Sequence, residues 1–409
     1  MRLSVYVPLL AAIPSLASAE PLSFDVALER AAANAPVLEA RNRQIQARQS
    51  SAIAAGRLPD PTLGVGIDNF PVSGPPAFSL TEENMTMERV GIEQAIPNLA
   101  KRHAEQGRAR ADIGAAEAQG AGAALQVKVA TAAAWIDLAY ARKRLETMDG
   151  ILARLRPLVP ASTSAVASGS ARPGQSLNAE QALIELEDRR STIAAEVGSA
   201  RAELTRWTGD GHPEPIGSVP DFDLAPAALR ARLGEHPDLR MASAEVGQAM
   251  ADVEMARAGK RPDWGLNMAF QRRDPRFGNM VSVGATMSLP IFPGRRQNPR
   301  IDAALAEVAA ARAEQEDMRR ALAAQLEAGL AEHAMHHEQW MRARDTLLPL
   351  ARRKVELERA SYSAGRAGLL DVIEAEAALA TIELDTLDRE AAVARHAARL
   401  ALTFGGDGQ

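Results

Sequence analysis

The chain has 409 residues and a formal net charge of −5 at neutral pH, with no basic block of the kind that binds nucleic acid. Hydrophobic residues make up 46% of the sequence, but aromatic residues make up only 4%, and alanine is abundant. A compact enzyme of this length generally fills its core with more aromatic bulk, whereas alanine-rich helices can pack side by side without it. The composition therefore favours a mainly helical protein and argues against a nucleic-acid-binding class.

Residues 1–19 have the pattern of a secretory signal peptide. Arg2 supplies the charged start, residues 3–13 are apolar, and Ala17-Ser18-Ala19 offers small residues at a cleavage site. The apolar run is too short to span a bilayer, so we expect cleavage rather than anchoring. The sequence contains no cysteine, so we expect neither disulfides nor a cysteine-linked lipid at the N-terminus.

Short motifs recur in the two halves of the chain. Gly56-Arg57-Leu58-Pro59-Asp60 returns as Gly259-Lys260-Arg261-Pro262-Asp263, and Ile96-Pro97 returns as Leu289-Pro290. Such self-similarity indicates a repeated structural unit. We therefore predict two copies of a helix, a strand pair and a long helical hairpin, over residues 20–215 and 216–409. The predicted strands cover about residues 62–69, 87–96, 263–271 and 280–289.

The predicted strands alternate between apolar residues and small or polar ones. In the third strand, Trp264, Leu266, Met268 and Phe270 alternate with Gly265, Asn267, Ala269 and Gln271. This pattern suits either the wall of a transmembrane barrel or an ordinary antiparallel sheet over a soluble core. Four strands cannot close a barrel, and open sheet edges do not occur in lipid. If the sheet lies in a membrane, several protomers must therefore contribute strands to it.

The C-terminal part of the chain predicts a long helical hairpin. Small or apolar residues recur in alternating steps of three and four at Leu370, Ile373, Ala377, Ala380, Leu384, Leu387, Ala391, Ala394, Ala398 and Ala401. This spacing keeps one stripe of a helix against a partner helix. We expect the tip of this hairpin at about residues 362–370 and the tip of the first hairpin at about 161–174. Pro349, Pro157 and Pro160 should bend or interrupt the helices.

These features resemble the TolC family of outer-membrane efflux ducts, over essentially the whole mature chain. The most specific pieces are Tyr362-Ser363-Ala364-Gly365, the following residues 370–375, and the strand endings Ile96-Pro97 and Leu289-Pro290. The resemblance implies a mainly α fold with a small membrane β part. Three protomers would give four strands each to a twelve-strand β-barrel that continues into a long α-helical periplasmic barrel. Residues 58–71 and 77–89 look similar to the heavy-metal branch, of the Cus and Czc type, but the lipidated cysteine of some of its members is missing.

The resemblance also implies a periplasmic gate just inside the second hairpin tip. Asp371 and Glu374 are three residues apart, so they share one helix face, and they match acidic positions that line the constriction of the family. In a trimer they would form carboxylate rings that attract cations. The alternative is two solvated acids near a helix N-terminus, where they favour the helix dipole.

A tyrosine in the same tip resembles a gate residue of the family. Tyr362 matches a tyrosine that helps to hold the gate closed. The arginine that pairs with it in the family would fall at Ala367, so Arg366 and Arg172 are the candidates for that partner here. A plain structural tyrosine is the alternative.

The two hairpin tips predict a docking surface for a periplasmic adaptor. They are exposed turns that contain glycine and apolar residues, and the candidate contact residues are Gly169, Arg172, Gly365, Gly368 and Leu369. In the family such tips meet the coiled-coil hairpin of the adaptor tip to tip. Each contact buries little area, so multivalency across six tips would supply much of the affinity. Simple loop chemistry is the alternative.

One cluster in the sequence contains residues of a type that binds metal ions. His333 and His337 are one helical turn apart, and His336 lies near the same face. Neutral imidazole suits zinc or copper, but no carboxylate or cysteine completes a site. The three histidines are therefore weak metal candidates, and solvated histidines on a long helix are the alternative.

With this resemblance, the sequence predicts the outer-membrane duct of a tripartite efflux system that exports heavy-metal cations and extends into the periplasm. The expected partners are two further protomers, a periplasmic adaptor, an inner-membrane pump of the RND type and outer-membrane lipid, without nucleic acid or a cofactor. The alternatives are a duct for drugs or secreted peptides, or a soluble periplasmic coiled-coil adaptor. We expect no enzyme, because the sequence has no nucleophile elbow, P-loop or zinc-protease motif.

Overall fold

The structure, a computed structural model, describes residues 21–167, 172–222 and 224–406. The predicted signal peptide and Gly169 lie outside these residues. Helices dominate the described chain, as expected. The elements are β1 (Pro21–Leu22), α1 (Phe24–Asn34), α2 (Pro36–Ala54), β2 (Thr62–Asp68), β3 (Met87–Ile96), α3 (Leu99–Leu155), α4 (Leu158–Ala167), α5 (Pro173–Thr208), β4 (Glu214–Pro215), α6 (Pro226–Arg232), α7 (Pro237–Ala258), β5 (Trp264–Arg272), β6 (Met280–Met287), α8 (Gln297–Arg342), α9 (Leu348–Ser363) and α10 (Leu369–Phe404).

The chain divides into two compact units, and each draws segments from both halves of the sequence. The first unit contains Ala124–Arg232 and the described parts of Met1–Pro36 and Gln325–Gln409. The second unit contains Val37–Ala123 and Leu233–Ala324. None of the described helices contains a segment that is both long enough and apolar enough to cross a membrane.

The second unit contains an antiparallel four-stranded sheet in the order β2-β3-β5-β6. Each strand lies within two residues of its expected position. β3 and β5 pair from Glu88 opposite Arg272 to Ile96 opposite Trp264, so the two strand pairs join into one sheet through their inner strands. Within the described chain, β2 and β6 each pair on one side only, and the sheet therefore has two open edges.

The core of the first unit forms around Trp135 of α3, which is fully buried. The indole nitrogen of Trp135 donates a hydrogen bond to the carbonyl of Leu22 at 2.8 Å. The ring of Phe24 meets the indole edge to face, with the ring centroids 5.5 Å apart. These contacts anchor the first described residues of the chain against a long helix, and the buried polar group of the indole is satisfied.

The stripe of small residues on α10 faces its neighbours, as the spacing predicts. Ile373, Ala380, Leu384, Ala391, Ala398 and Ala401 are all buried. A second stripe, Leu369, Val372, Ala375 and Leu379, is buried beside it. The buried face is wider than a simple two-helix seam requires because α10 contacts α9, α5 and α4.

Prolines interrupt the long helices where the sequence places them. α3 ends at Leu155 and α4 begins at Leu158, on either side of Pro157. Pro349 is preceded by one π-helical segment, Ala343–Leu347, between α8 and α9. Proline has no N–H to donate to the preceding turn, so a local widening of the helix accommodates the lost hydrogen bond.

Candidate functional site

One face of the sheet is apolar across all four strands. The pairing places Val65 beside Val90, Val90 beside Phe270, and Phe270 beside Val281. The exposed apolar residues on this face are Leu63, Val65, Ile67, Val90, Ile92, Trp264, Leu266, Met268, Phe270, Val281, Val283 and Met287. An exposed apolar surface of this extent marks contact with lipid or with another protein chain.

The opposite face of the sheet is made of glycine, small and polar residues that lie close together. Gly91 is paired with Ala269, and Gly284 with Asn267. A Cβ atom added at Gly91 would lie 2.9 Å from the Cβ of Ala269 and 3.1 Å from the carbonyl oxygen of Met268. Side chains of β3 and β5 therefore approach each other closely on this face.

Charged residues close one end of the sheet. Arg272 lies 3.8 Å from Glu88 at the end of the apolar face, and Arg89 lies 3.9 Å from Asp68 on the polar face. In the loop between β5 and β6, Arg276 forms an ion pair with Asp274 at 2.9 Å. Arg273 and Arg276 of this loop also donate to the carbonyls of Asn84 and Thr81, in the loop that joins β2 to β3 at the same end of the sheet. The apolar band is therefore bounded by a polar, hydrogen-bonded loop region.

The turn between α9 and α10 is fixed by a glycine and a capping carboxylate. Gly365 has a φ angle of +71°, in the left-handed region that glycine adopts most readily. The amide of Arg366 donates to the carbonyl of Ser361 at 2.9 Å. The amide of Gly368 donates to Oδ2 of Asp371 at 2.7 Å, so Asp371 caps the N-terminus of α10.

The acidic pair of the second tip faces solvent. Asp371 and Glu374 are exposed, whereas Val372, Ile373 and Ala375 between and beside them are buried. The two carboxylates therefore share the exposed face of the first turns of α10, as their spacing predicts. Their role as a constriction stays a prediction.

The proposed gate residues on the other side of the turn are also exposed. Tyr362 is in the last turn of α9, and Arg366 lies in the loop that follows. Arg172 is exposed directly before α5. All three side chains are therefore accessible to a further chain. The pairing of Tyr362 with an arginine stays a prediction.

Leu369 does not have the exposed position that the sequence predicts for the docking tips. Its side chain is buried against Ala179 of α5 and Ile373 of its own helix. Leu158 and Ala182 pack on the same cluster. The two hairpins of the first unit thus meet through Leu369 near their tips, and tertiary packing outweighs its position next to a turn. Gly365 and Gly368 remain exposed.

An ion-paired cluster that the sequence did not reveal joins three helices. Arg144 of α3 pairs with Glu196 of α5 and lies 2.6 Å from Asp388 of α10. Arg189 lies 3.4 Å from Asp385 one turn away. Burial raises the pKa of Asp388 above its ordinary value, against the lowering effect of Arg144. A sequence contains no signal for this cluster, because charged residues are common on all of these helices.

The histidines of α8 meet a fourth histidine on α10. The ring centroid of His336 lies 4.6 Å from that of His396, and the centroids of His333 and His337 are 6.2 Å apart. Glu332 approaches His396, with 3.9 Å between Oε2 and Nδ1. Within the described residues, no group of three or more histidine, cysteine, aspartate or glutamate side chains is arranged to hold a metal ion.

The second half of the chain matches a known family, and most of the chain is similar to two metal-resistance proteins. Residues 228–406 match the model of the family described as outer membrane efflux protein. The cobalt-zinc-cadmium resistance protein CzcC of Cupriavidus metallidurans is 24% identical over 369 residues, which cover 88% of this chain and 85% of CzcC. The nickel and cobalt resistance protein CnrC of the same organism is 27% identical over 308 residues, covering 74% of this chain and 71% of CnrC.

Solved structures share the fold. A solved structure of CusC, whose title refers to folding and transmembrane channel formation, superposes on this chain with a TM-score of 0.79 at 16% sequence identity. The match covers 98% of this chain and 99% of the CusC chain. Residues 228–406 therefore carry the domain of the outer membrane efflux protein family, and the described chain has the fold of solved outer-membrane channels.

Proposed function

We propose that this outer-membrane channel exports heavy-metal cations as the duct of a tripartite efflux system. The observation that supports this cargo is the similarity to CzcC, a cobalt-zinc-cadmium resistance protein, over 88% of the chain. CnrC, a nickel and cobalt resistance protein, is similar over 74% of it. The duct itself performs no chemistry in this proposal, and its contribution is a continuous passage for the ion.

The sheet supports an assembly of three protomers. An exposed apolar face suits lipid, and the polar face suits water inside a barrel. Because β2 and β6 each pair on one side only within the described chain, a membrane location requires strands from other protomers. We propose a homotrimer in which twelve strands close one barrel, with β2 of one protomer beside β6 of the next.

The hairpin tips support a partnership with a periplasmic adaptor and an RND-type pump. Gly365 and Gly368 expose backbone at the second tip, and Arg172 is exposed at the first. A contact through such turns buries little area, so simultaneous engagement of several tips has to supply the affinity. In this proposal Leu369 supports the tip from inside and does not contact the adaptor.

The same tip supports a periplasmic constriction. Asp371 and Glu374 present two carboxylates on one exposed helix face, and a threefold arrangement would turn them into two rings of negative charge. Tyr362 and Arg366 flank the turn and would contribute to the closed state of the gate. The same carboxylates would favour a cationic cargo at the entrance.

The order of the elements supports a duplicated chain. Residues 20–215 contain two short helices, the strands β2 and β3, and the long helices α3 and α5. Residues 216–409 contain α6, α7, the strands β5 and β6, and the long helices from α8 to α10. We propose that the two halves are copies of one unit, and that each compact unit of the structure combines matching parts of both copies.

A deletion strain tests the cargo. Loss of the gene should lower tolerance to cobalt, zinc, cadmium, nickel, copper or silver salts, and expression from a plasmid should restore it. Tolerance to lipophilic drugs and dyes is measured in the same strains. Sensitivity to drugs alone would support a duct that exports organic molecules instead of metal ions. Unchanged tolerance to all metals would contradict the proposed metal cargo.

A further inference from the structure

Two helices of the first unit bring four imidazole rings together. His333, His336 and His337 stand on α8, and His396 stands on α10. The rings of His336 and His396 are 4.6 Å apart between centroids, and their planes are inclined by 38°. Sequence spacing groups only the three histidines of α8, and the fold supplies the fourth.

We propose that His336 and His396 together bind a divalent transition-metal ion, such as Cu²⁺, Ni²⁺ or Zn²⁺, as the two protein ligands of a labile site. Imidazole nitrogen suits these ions, whereas Mg²⁺ and Ca²⁺ prefer oxygen ligands. This metal site would add protein ligands to the proposed path of heavy-metal cations. Its biological role rests on that proposed function, but metal binding itself depends only on the two imidazole rings.

A carboxylate lies beside His396. Oε2 of Glu332 is 3.9 Å from Nδ1 of His396, beyond hydrogen-bond distance, and Nε2 is the nitrogen left for a metal ion. The negative charge of this carboxylate favours a cation at the neighbouring imidazole. Glu332 is exposed and its side chain can adjust to the bound ion.

Metal binding requires neutral imidazoles, so the affinity for a metal ion should fall at acidic pH. A neutral imidazole has a lone pair available, whereas a protonated one does not.

The site binds weakly for two reasons. The described residues offer no arrangement of three or more ligands, so water has to fill the remaining coordination positions. Arg395 and Arg399 also place positive charge near His396, and this charge opposes a bound cation. Weak binding with fast release suits a surface that ions pass and does not suit a storage or structural site.

Cu²⁺ is the probe for this site. The full-length protein, purified in detergent without a polyhistidine tag, is titrated with CuCl₂ by calorimetry, and the bound ion is examined by electron paramagnetic resonance. We expect one Cu²⁺ per protomer with nitrogen couplings from imidazole, and loss of binding at acidic pH. H336N and H396N should each weaken binding about tenfold or more.

Control variants separate this site from other histidines. His103 is an exposed histidine in the second unit, so H103N should leave the Cu²⁺ affinity unchanged. Binding that persists in H336N and H396N but is lost in H333N or H337N would assign the ion to the pair on α8 and overturn the proposal. Binding that persists in all four variants would also overturn it. Because the titration uses purified protein, its result is independent of the metal tolerance of the deletion strain, and the two proposals can fail separately.

Discussion

Glu376 of α10 is buried, with 3% of its side chain exposed, and its Oε1 accepts a hydrogen bond from Nη2 of Arg359 on α9. The side chain of Arg359 is 55% exposed, whereas that of Glu376 is almost completely shielded from water. Val355 and Leu379 pack in the same part of the hairpin. The pair thus fixes the two legs of the second hairpin to each other close to its tip.

The two partners of this pair should respond unequally to mutation. R359A leaves a buried carboxylate without its partner, so we expect a loss of about 1–3 kcal/mol in the free energy of unfolding. E376Q should cost less, because it removes the buried charge and leaves an arginine that water can solvate. Thermal unfolding of the detergent-solubilised protein measures both. E374Q, an exposed neighbour on α10, is the control, and an equal loss in R359A and E374Q would contradict the prediction.

Adjacent residues of β2 test which face of the sheet meets lipid. V65K places a charge on the apolar face, where lysine costs about 2–4 kcal/mol near the middle of a membrane. G66K places the same charge on the polar face, where the space beside the Cβ position is open. We expect V65K to reduce strongly the amount of assembled protein in the outer-membrane fraction and G66K to retain it. Equal amounts of the two variants would argue against lipid on the apolar face.

The acidic pair of the second tip should set the ion preference of the channel. D371N and E374Q together remove the charge, while the side-chain amide oxygen that D371N introduces can still accept the hydrogen bond from the amide of Gly368 and preserve the cap. We expect the preference for cations over anions to fall, measured as the reversal potential of single channels in a salt gradient. E356Q, at an exposed position of α9, should leave the reversal potential unchanged. An unchanged reversal potential in the double variant would contradict the proposed carboxylate rings.

A buried histidine should make stability of the second unit depend on pH. His236 precedes α7, and its Nδ1 accepts a hydrogen bond from the amide of Asp238 at 3.2 Å. Burial lowers the pKa of His236 below its ordinary value of 6.5, against the raising effect of Asp238. The folded state thus prefers the neutral ring, so its contribution is complete above pH 6.5 and is lost as the pH falls below it.

Replacement of this histidine isolates its effect. H236N retains an acceptor that suits a helix N-cap but cannot be protonated in this range. The decrease in melting temperature between about pH 8 and about pH 5.5 should therefore be smaller in H236N than in the wild type, and H212N, at an exposed position, should match the wild type. An identical pH dependence in H236N and the wild type would contradict the assignment.

Local patterns predicted much of this fold. The alternation from Trp264 to Phe270 specifies both a strand and its two faces, because side chains of a strand point to opposite sides. The steps from Leu370 to Ala401 specify a helix and the stripe that it buries. Pro157 and Pro349 mark interruptions because a proline always lacks the amide donor. These features depend on neighbours in sequence, which a single sequence contains.

Features that depend on contacts between distant segments were not predictable. Leu369 is next to a turn and was expected to be exposed, but a second hairpin covers it. His396 has no histidine near it in sequence and joins the others only because α10 packs beside α8. The buried position of Glu376 is hidden among the many exposed acids of the same helix. In each case the partner lies on another helix, and the sequence does not specify which helices meet.

The mass of the detergent-extracted protein shows whether several protomers assemble into one channel. The protein is extracted from the outer-membrane fraction and examined by light scattering corrected for detergent, before and after heating. We expect an assembly of three protomers that dissociates on heating, because the open edges of β2 and β6 can be closed in a membrane only by other protomers. Recovery of a stable monomer without detergent would contradict the proposed membrane trimer.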